Sequence, residues 1–176
     1  MKRDALASMP VMSAPHPTPP VAVILARGLG TRLRALPEQG VALDAQASAI
    51  AATGVKALLP DAAGRPFLDH VLTDLADAGV REVILVIGPE HSAVRQAYAT
   101  PLRRLTMHFA IQEQPQGTAD AVVAAAKLIG AGEFLVLNSD NHYPVAALRE
   151  LVAHEGPAVI GFHRAGLIAG GRPIVR

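Results

Sequence analysis

The sequence contains no cysteine. That absence excludes disulfides, thiolate metal sites and a thiol nucleophile, and it fits a reducing compartment. Aromatic residues make up only 3% of the chain, so alanine, valine, leucine and isoleucine must supply the core. Neither sign of charge dominates: 16 Lys and Arg stand against 15 Asp and Glu. No strong overall field therefore favours DNA or anionic lipid, and the aromatics are too few for base stacking. The apolar runs are far too short to span a bilayer. Lys2 and Arg3 are not followed by an apolar stretch, so a secretory signal is not expected. These exclusions lead to the expectation of a cytoplasmic protein that binds neither nucleic acid nor membrane. A homo-oligomer stays open.

What remains is a chain of 176 residues, half of it apolar, which suits one domain with a real core. Residues 1–20 carry Pro10, Pro15, Pro17, Pro19 and Pro20 and read as a disordered leader or an extension. A Pro-rich docking segment is the functional alternative. The ordered domain is expected over residues 21–176.

Val21–Ala26 is an apolar run without alternation, which reads as a strand buried on both faces. Further strands are expected at Glu82–Ile87, Met107–Gln112, Phe134–Asn138 and Ala158–Phe162. Between them, helices are expected at Asp44–Ala52, Phe67–Ala78, Glu90–Tyr98, Thr118–Ile129 and Val145–Ala153. Pro66 and Pro144 suit helix starts, while Gly79 and Gly130 suit helix ends. The last segment, Ala165–Arg176, shows no clear element. Alternating strands and helices imply an α/β fold: a doubly wound, mostly parallel sheet with helices on both faces. Ligands of such sheets sit beyond the carboxyl ends of the strands. The informative loops are therefore those after Ala26, Ile87, Gln112 and Asn138.

The first of these loops runs Arg27-Gly28-Leu29-Gly30-Thr31-Arg32-Leu33-Arg34. Its glycines let backbone N–H groups approach an anion, and its three arginines offer bidentate donors to phosphate oxygens. The Walker pattern is absent. The dinucleotide fingerprint fails because Leu33 occupies its third glycine position. On this loop alone, a phosphate site and a plain strand-to-helix turn with exposed arginines are both open.

Four segments in order resemble the nucleotidyltransferase family that activates sugar 1-phosphates. Leu25–Leu33 is similar to its signature loop. Val55–Pro60, continued by Gly64–Leu68, is similar to its lysine motif. Gln112–Ala121 is similar to its base-recognition loop, and Phe134–Asn141 to its metal-aspartate strand. Four motifs in register are far more specific than one. The resemblance implies a Rossmann-like nucleotidyltransferase fold. It implies a Mg²⁺-dependent enzyme that joins an NTP to a sugar 1-phosphate, giving a nucleotide-sugar and pyrophosphate.

By resemblance, Ala26, Gly28, Gly30 and Thr31 line the nucleotide, and Arg32 holds the departing phosphates. Lys56 neutralises charge between the reacting groups. Gln112, Gly117 and Thr118 meet the base side of the nucleotide. Asp140 holds Mg²⁺. The bland readings are a surface lysine for Lys56, a helix N-cap for Thr118 and a turn residue for Asp140. Asp69, Asp74 and Asp77 read as solvated helix residues, His142 as a loop residue, and the seven histidines show no zinc-ligand spacing.

Two departures stand out. Between Arg32 and Lys56 lie 23 residues, more than the family pattern. Segment 35–54 is expected to insert a helix that either covers the site or lengthens the loop. No second metal-binding aspartate follows Asp140, so the second half of the family fold is expected to be incomplete here. The alternatives are transfer to another acceptor, such as phosphocholine or a molybdenum cofactor, and a non-catalytic NTP-binding module of the same fold.

Overall fold

Uninterrupted apolar runs five or six residues long cannot leave either face to water, so they must sit at the centre of a layered fold. A computed structural model, which describes residues 19–27, 56–100 and 104–169, places them there. Strand β1 (Val21–Leu25) lies between β2 (Glu82–Ile87) and β4 (Phe134–Asn138), and β3 (Thr106–Ile111) flanks β2. The order is β3-β2-β1-β4, with all pairs parallel. Leu25 pairs with Val86 on one side and with Asn138 on the other. The chain therefore leaves β1 towards β2 and β3, and later returns to its opposite side. That reversal creates a crevice beyond the carboxyl ends of β1 and β4.

Both faces of the sheet are covered at β1 and β2, while the edge strand β4 leaves Phe134 and Val136 exposed. Ala22, Ile24, Val83, Leu85 and Ile87 belong to one core, against helix α1 (Phe67–Ala78). Val23, Ile84 and Val86 belong to a second core with Ala110, Ala121 and Ala125. The alternation along β1 and β2 is thus between two cores, which is why the sequence shows none. Helix α1 buries Leu68, Val71, Leu72, Leu75 and Ala76, the stripe expected at helical spacing. It packs against α4 (Val145–Ala153). Gly79 ends α1 with φ at 105°: Val80 N–H donates to Leu75 O at 3.1 Å and Gly79 N–H to Ala76 O at 3.2 Å. This paired closure needs a left-handed residue, which glycine adopts without a Cβ penalty. Helix α3 (Thr118–Ile129) covers β1, β2 and β3 on the other face.

The doubly wound α/β expectation holds, with departures. Helix α2 spans Ser92–Ala97 and is shorter than the expected 90–98, because Pro89 and Glu90 are spent in a turn that His91 N–H closes on Gly88 O at 3.0 Å. Ala158–Phe162 is not a strand. Val159 is 93% exposed, and among the described residues no strand pairs with it to form a ladder. An apolar run signals avoidance of water, whereas a strand also requires a partner. Gly156 N–H is held by Glu133 Oε1 at 2.8 Å, which pins the start of this segment near the amino end of β4. In the following stretch, where no element was expected, Arg164–Ala169 forms helix α5. Its alanine, leucine and arginine content outweighs a single glycine. Residues 1–18 of the expected leader and the helix at 44–52 lie outside the described residues.

Candidate functional site

Three strands are each prolonged by one residue at their carboxyl ends. Ala26 N–H donates to Val86 O at 2.9 Å, Gln112 N–H to Ile87 O at 2.9 Å, and Ser139 N–H to Leu25 O at 3.2 Å. Ala26, Gln112 and Ser139 are all buried and form a rim on which the following loops stand.

Gln112 is the best-fixed side chain of this rim. Its Nε2 donates to Gly117 O at 3.2 Å and to Asp120 Oδ2 at 2.7 Å. Both partners are pure acceptors, so the network sets which end of the amide is nitrogen. Both amide hydrogens are thereby committed. No donor among the described residues reaches Oε1. Gly117 has φ at 111°, and a Cβ there would meet nothing within 4 Å. Glycine is required here by backbone conformation, and open space lies beside it. Ala121 N–H bonds to Gly117 O at 3.1 Å, so Gly117 occupies the N-cap position of α3. Thr118 is the exposed first residue of the helix and makes no capping bond, which corrects the N-cap reading.

Arg27 follows the rim residue Ala26. Its Nε donates to Glu90 Oε1 at 3.1 Å and its Nη2 to Glu90 Oε2 at 3.2 Å. Its Nη1 donates to the main-chain oxygen of Gln112. The side chain is 10% exposed. This arginine is thus bound within the protein, where the charge of the loop had suggested a phosphate donor. Glu90 is held below the usual carboxylate range by its own backbone N–H and by Arg27, against the opposing effect of partial burial. His91 is buried, and its Nδ1 accepts the Gly88 N–H at 3.2 Å.

Asp140 is exposed just beyond β4. Through the Ser139 bond to Leu25 it emerges beside the end of β1. Among the described residues, no three His, Asp or Glu side chains stand together as a metal cage. A lone exposed carboxylate still suits Mg²⁺, which keeps several waters and shares its ligands with substrate phosphates. Lys56 opens a 3-10 turn, Lys56–Leu58, that packs against α1, and its side chain lies outside the described residues. Gly28, Gly30, Thr31 and Arg32, and the insertion 35–54, also lie outside them.

Of the acidic residues of α1, Asp77 is exposed as expected, whereas Asp69 and Asp74 are half-buried, because later segments fold back onto this helix. Asp69 accepts from Tyr98 OH at 2.7 Å, Asp77 pairs with Arg104 at 2.6 Å, and Asp74 lies 3.5 Å from His142.

Residues 45–158 match the model of the nucleotidyl transferase family. The chain belongs to that family. Among its relatives is a protein of Sinorhizobium fredii named bifunctional protein GlmU, 32% identical over 163 residues. The match covers 89% of this chain and 31% of that protein. A CMP-5'-(3-aminopropyl)phosphonate synthase of Streptomyces rubellomurinus is 32% identical over 143 residues, covering 80% of this chain and 20% of the relative. The chain thus spans less than a third of the length of either relative. Among solved structures, a UDP-glucose pyrophosphorylase complexed with UDP-glucose aligns with a TM-score of 0.59 at 19% identity. That alignment covers 77% of this chain and 53% of the other, and it supports the fold. No helix of the described residues is long and apolar enough to cross a membrane.

Sequence reasoning gave no individual site role to Glu90, Gly88 or Asp120. Asp120 carried a faint signal, an acidic residue in the first turn of the helix that follows Gln112. Glu90 carried none, since it lies 63 residues from Arg27.

Proposed function

We propose that this domain binds an NTP with Mg²⁺ and transfers its nucleotidyl group to a sugar 1-phosphate, releasing pyrophosphate. The observation that carries this reading is Gln112. A buried amide on the strand-end rim, with both hydrogens committed, presents one acceptor beside the open space at Gly117. That arrangement suits the N–H edge of a base. Family membership and the sugar-nucleotide chemistry named for similar proteins support the rest.

In the proposed reaction an oxygen of the acceptor phosphate attacks the α-phosphorus. The bond from that phosphorus to the bridging oxygen breaks, and its electron pair leaves with pyrophosphate. The acceptor is already anionic, so positioning and charge stabilisation are the main demands. Gly28, Gly30 and Thr31 would wrap the triphosphate, Arg32 would hold the leaving phosphates, and Lys56 would lie between the reacting groups. Asp140 would hold Mg²⁺, which supplies charge neutralisation at the phosphate oxygens.

The phosphonate synthase among the relatives favours a second acceptor class, an alkylphosphonate, for the same transfer. Calorimetry with the four NTPs, then pyrophosphate release with sugar 1-phosphates and phosphonates, tests both. Absence of NTP binding in Mg²⁺, together with an inert Arg32→Ala substitution, would sink the proposal.

A further inference from the structure

An arginine at the mouth of a glycine-rich loop invites assignment to the triphosphate. The geometry of Arg27 points elsewhere. Two of its nitrogens engage the two oxygens of Glu90, at 3.1 and 3.2 Å, and a third engages the Gln112 carbonyl. The bidentate fork fixes the guanidinium plane, and Glu90 cancels its charge. A neutralised, nine-tenths buried guanidinium has little attraction left for phosphate.

The brace itself is fitted closely. The Glu90 carboxylate lies over Gly88, where a Cβ would collide with both carboxylate oxygens. Gly88 has no positive φ, so that space, and not backbone freedom, is what an alanine there would violate. Behind it, the Gly88 N–H is held by His91 Nδ1, while His91 Nε2 stands 3.6 Å from Glu90 Oε1.

Among the described residues, Gln112 is thus held at every polar group except Oε1. Its N–H bonds to Ile87 O in β2, its side-chain nitrogen to Gly117 O and Asp120, and its carbonyl to Arg27. Only the last of these ties comes from the segment that follows β1. Resting on the nucleotide-binding reading above, we propose that Arg27, braced by Glu90, is a positioning residue for nucleobase selection. It fixes the Gln112 main chain and so the place at which Oε1 meets the base, without touching the triphosphate.

The test is calorimetry of the full chain in Mg²⁺ with each of the four NTPs and with inorganic triphosphate as a baseless probe. Arg27→Met should weaken the preferred NTP about tenfold, the scale of one well-made hydrogen bond lost or misplaced. It should narrow the preference over the other NTPs by a similar factor and leave inorganic triphosphate unchanged. Gly88→Ala should do the same by displacing the Glu90 carboxylate, although it alters neither partner. Glu90→Gln, at a half-exposed position, should retain the fold and fall between parent and Arg27→Met. Arg27→Lys, which lacks the fork, should rescue only part of the selectivity.

An equal loss for inorganic triphosphate would make Arg27 a phosphate ligand and overturn the inference. So would a lowered melting temperature with selectivity intact, which marks a purely structural tie. If the parent chain binds no NTP at all, the nucleotide-binding reading falls and takes the inference with it. If the parent binds and discriminates while the variants match it, only the inference falls.

Discussion

Replacing Gln112 with glutamate tests the geometry of the rim directly. The change keeps shape and length but puts a carboxylate oxygen where Nε2 now donates to Asp120 at 2.7 Å. At that separation and an effective dielectric near 20, two carboxylates repel by roughly 6 kcal/mol. Capture of one proton, shared between them, removes most of this repulsion. Holding a proton on a glutamate of ordinary pKa costs roughly 5 kcal/mol at pH 8 but only about 1 kcal/mol at pH 5. The proton cost therefore caps the penalty at high pH, and rotation of the half-buried Asp120 towards water would lower it further. The sign follows. The shared acid has a folded pKa raised above its unfolded value, so the variant keeps its stability in acid and loses it as pH rises. The unfolding free energies of parent and Gln112→Glu, from urea titration, should lie closest at about pH 5, where the shared proton restores one of the two donors, and separate by several kcal/mol at about pH 8. Adding Asp120→Asn returns a donor to the pair, with the roles reversed, and should abolish the pH dependence. A deficit of equal size at both pH values would show that Gln112 does not face Asp120, and the assignment of its free Oε1 would fall as well.

Asp140→Asn should lower NTP affinity in Mg²⁺ while leaving the affinity measured with EDTA unchanged; a loss under both conditions would exclude the metal role. Tyr98→Phe removes the bond to Asp69 at 2.7 Å and should cost about 1.5–3 kcal/mol in urea unfolding, the range for bonds to charged groups. Burial first, and then that bond, push the Tyr98 phenol up, so its phenolate absorbance should stay silent through ordinary alkaline titration. Asp61 is held below its ordinary pKa chiefly by the Arg65 N–H and then by His70. Its contribution is therefore present above the unfolded pKa and lost as pH falls, so the stability gap between parent and Asp61→Asn should close below about pH 4.

The elements of this fold that were legible in the sequence are those whose signals are local. The strand at Glu82–Ile87 and the helices at Phe67–Ala78, Thr118–Ile129 and Val145–Ala153 appear with the bounds expected. Each is an apolar run or stripe punctuated by proline or glycine. The expected strand at 158–162 failed because its signal was half local: the run was apolar, but a ladder needs a neighbour. Gln112 and Gly117 were legible as a pair because their spacing carries a motif. The commitment of both Gln112 hydrogens was not, since it depends on Asp120 turning back from the first helical turn.

Arg27 shows why residue type alone misdirects. Its charge announces affinity for anions, and the neighbouring glycines suggest which one. Strand order decides otherwise. With β2 between β1 and β3, a side chain leaving the end of β1 must cross two strand spacings, roughly 9–10 Å, to meet the end of β3. Arginine combines that reach with several donors, and it needs support in mid-span. The loop after the intervening strand supplies it: Gly88 clears the space, and Glu90 folds back into it. A carboxylate at that point both neutralises and orients the guanidinium, which leaves Nη1 for the Gln112 carbonyl. The same arginine on a sheet ordered with β1 at the edge beside β3 would need no such brace and would stand free for phosphate. Partner choice at this rim is therefore a property of the topology, and the 85-residue separation of Arg27 and Gln112 carries it only through the fold.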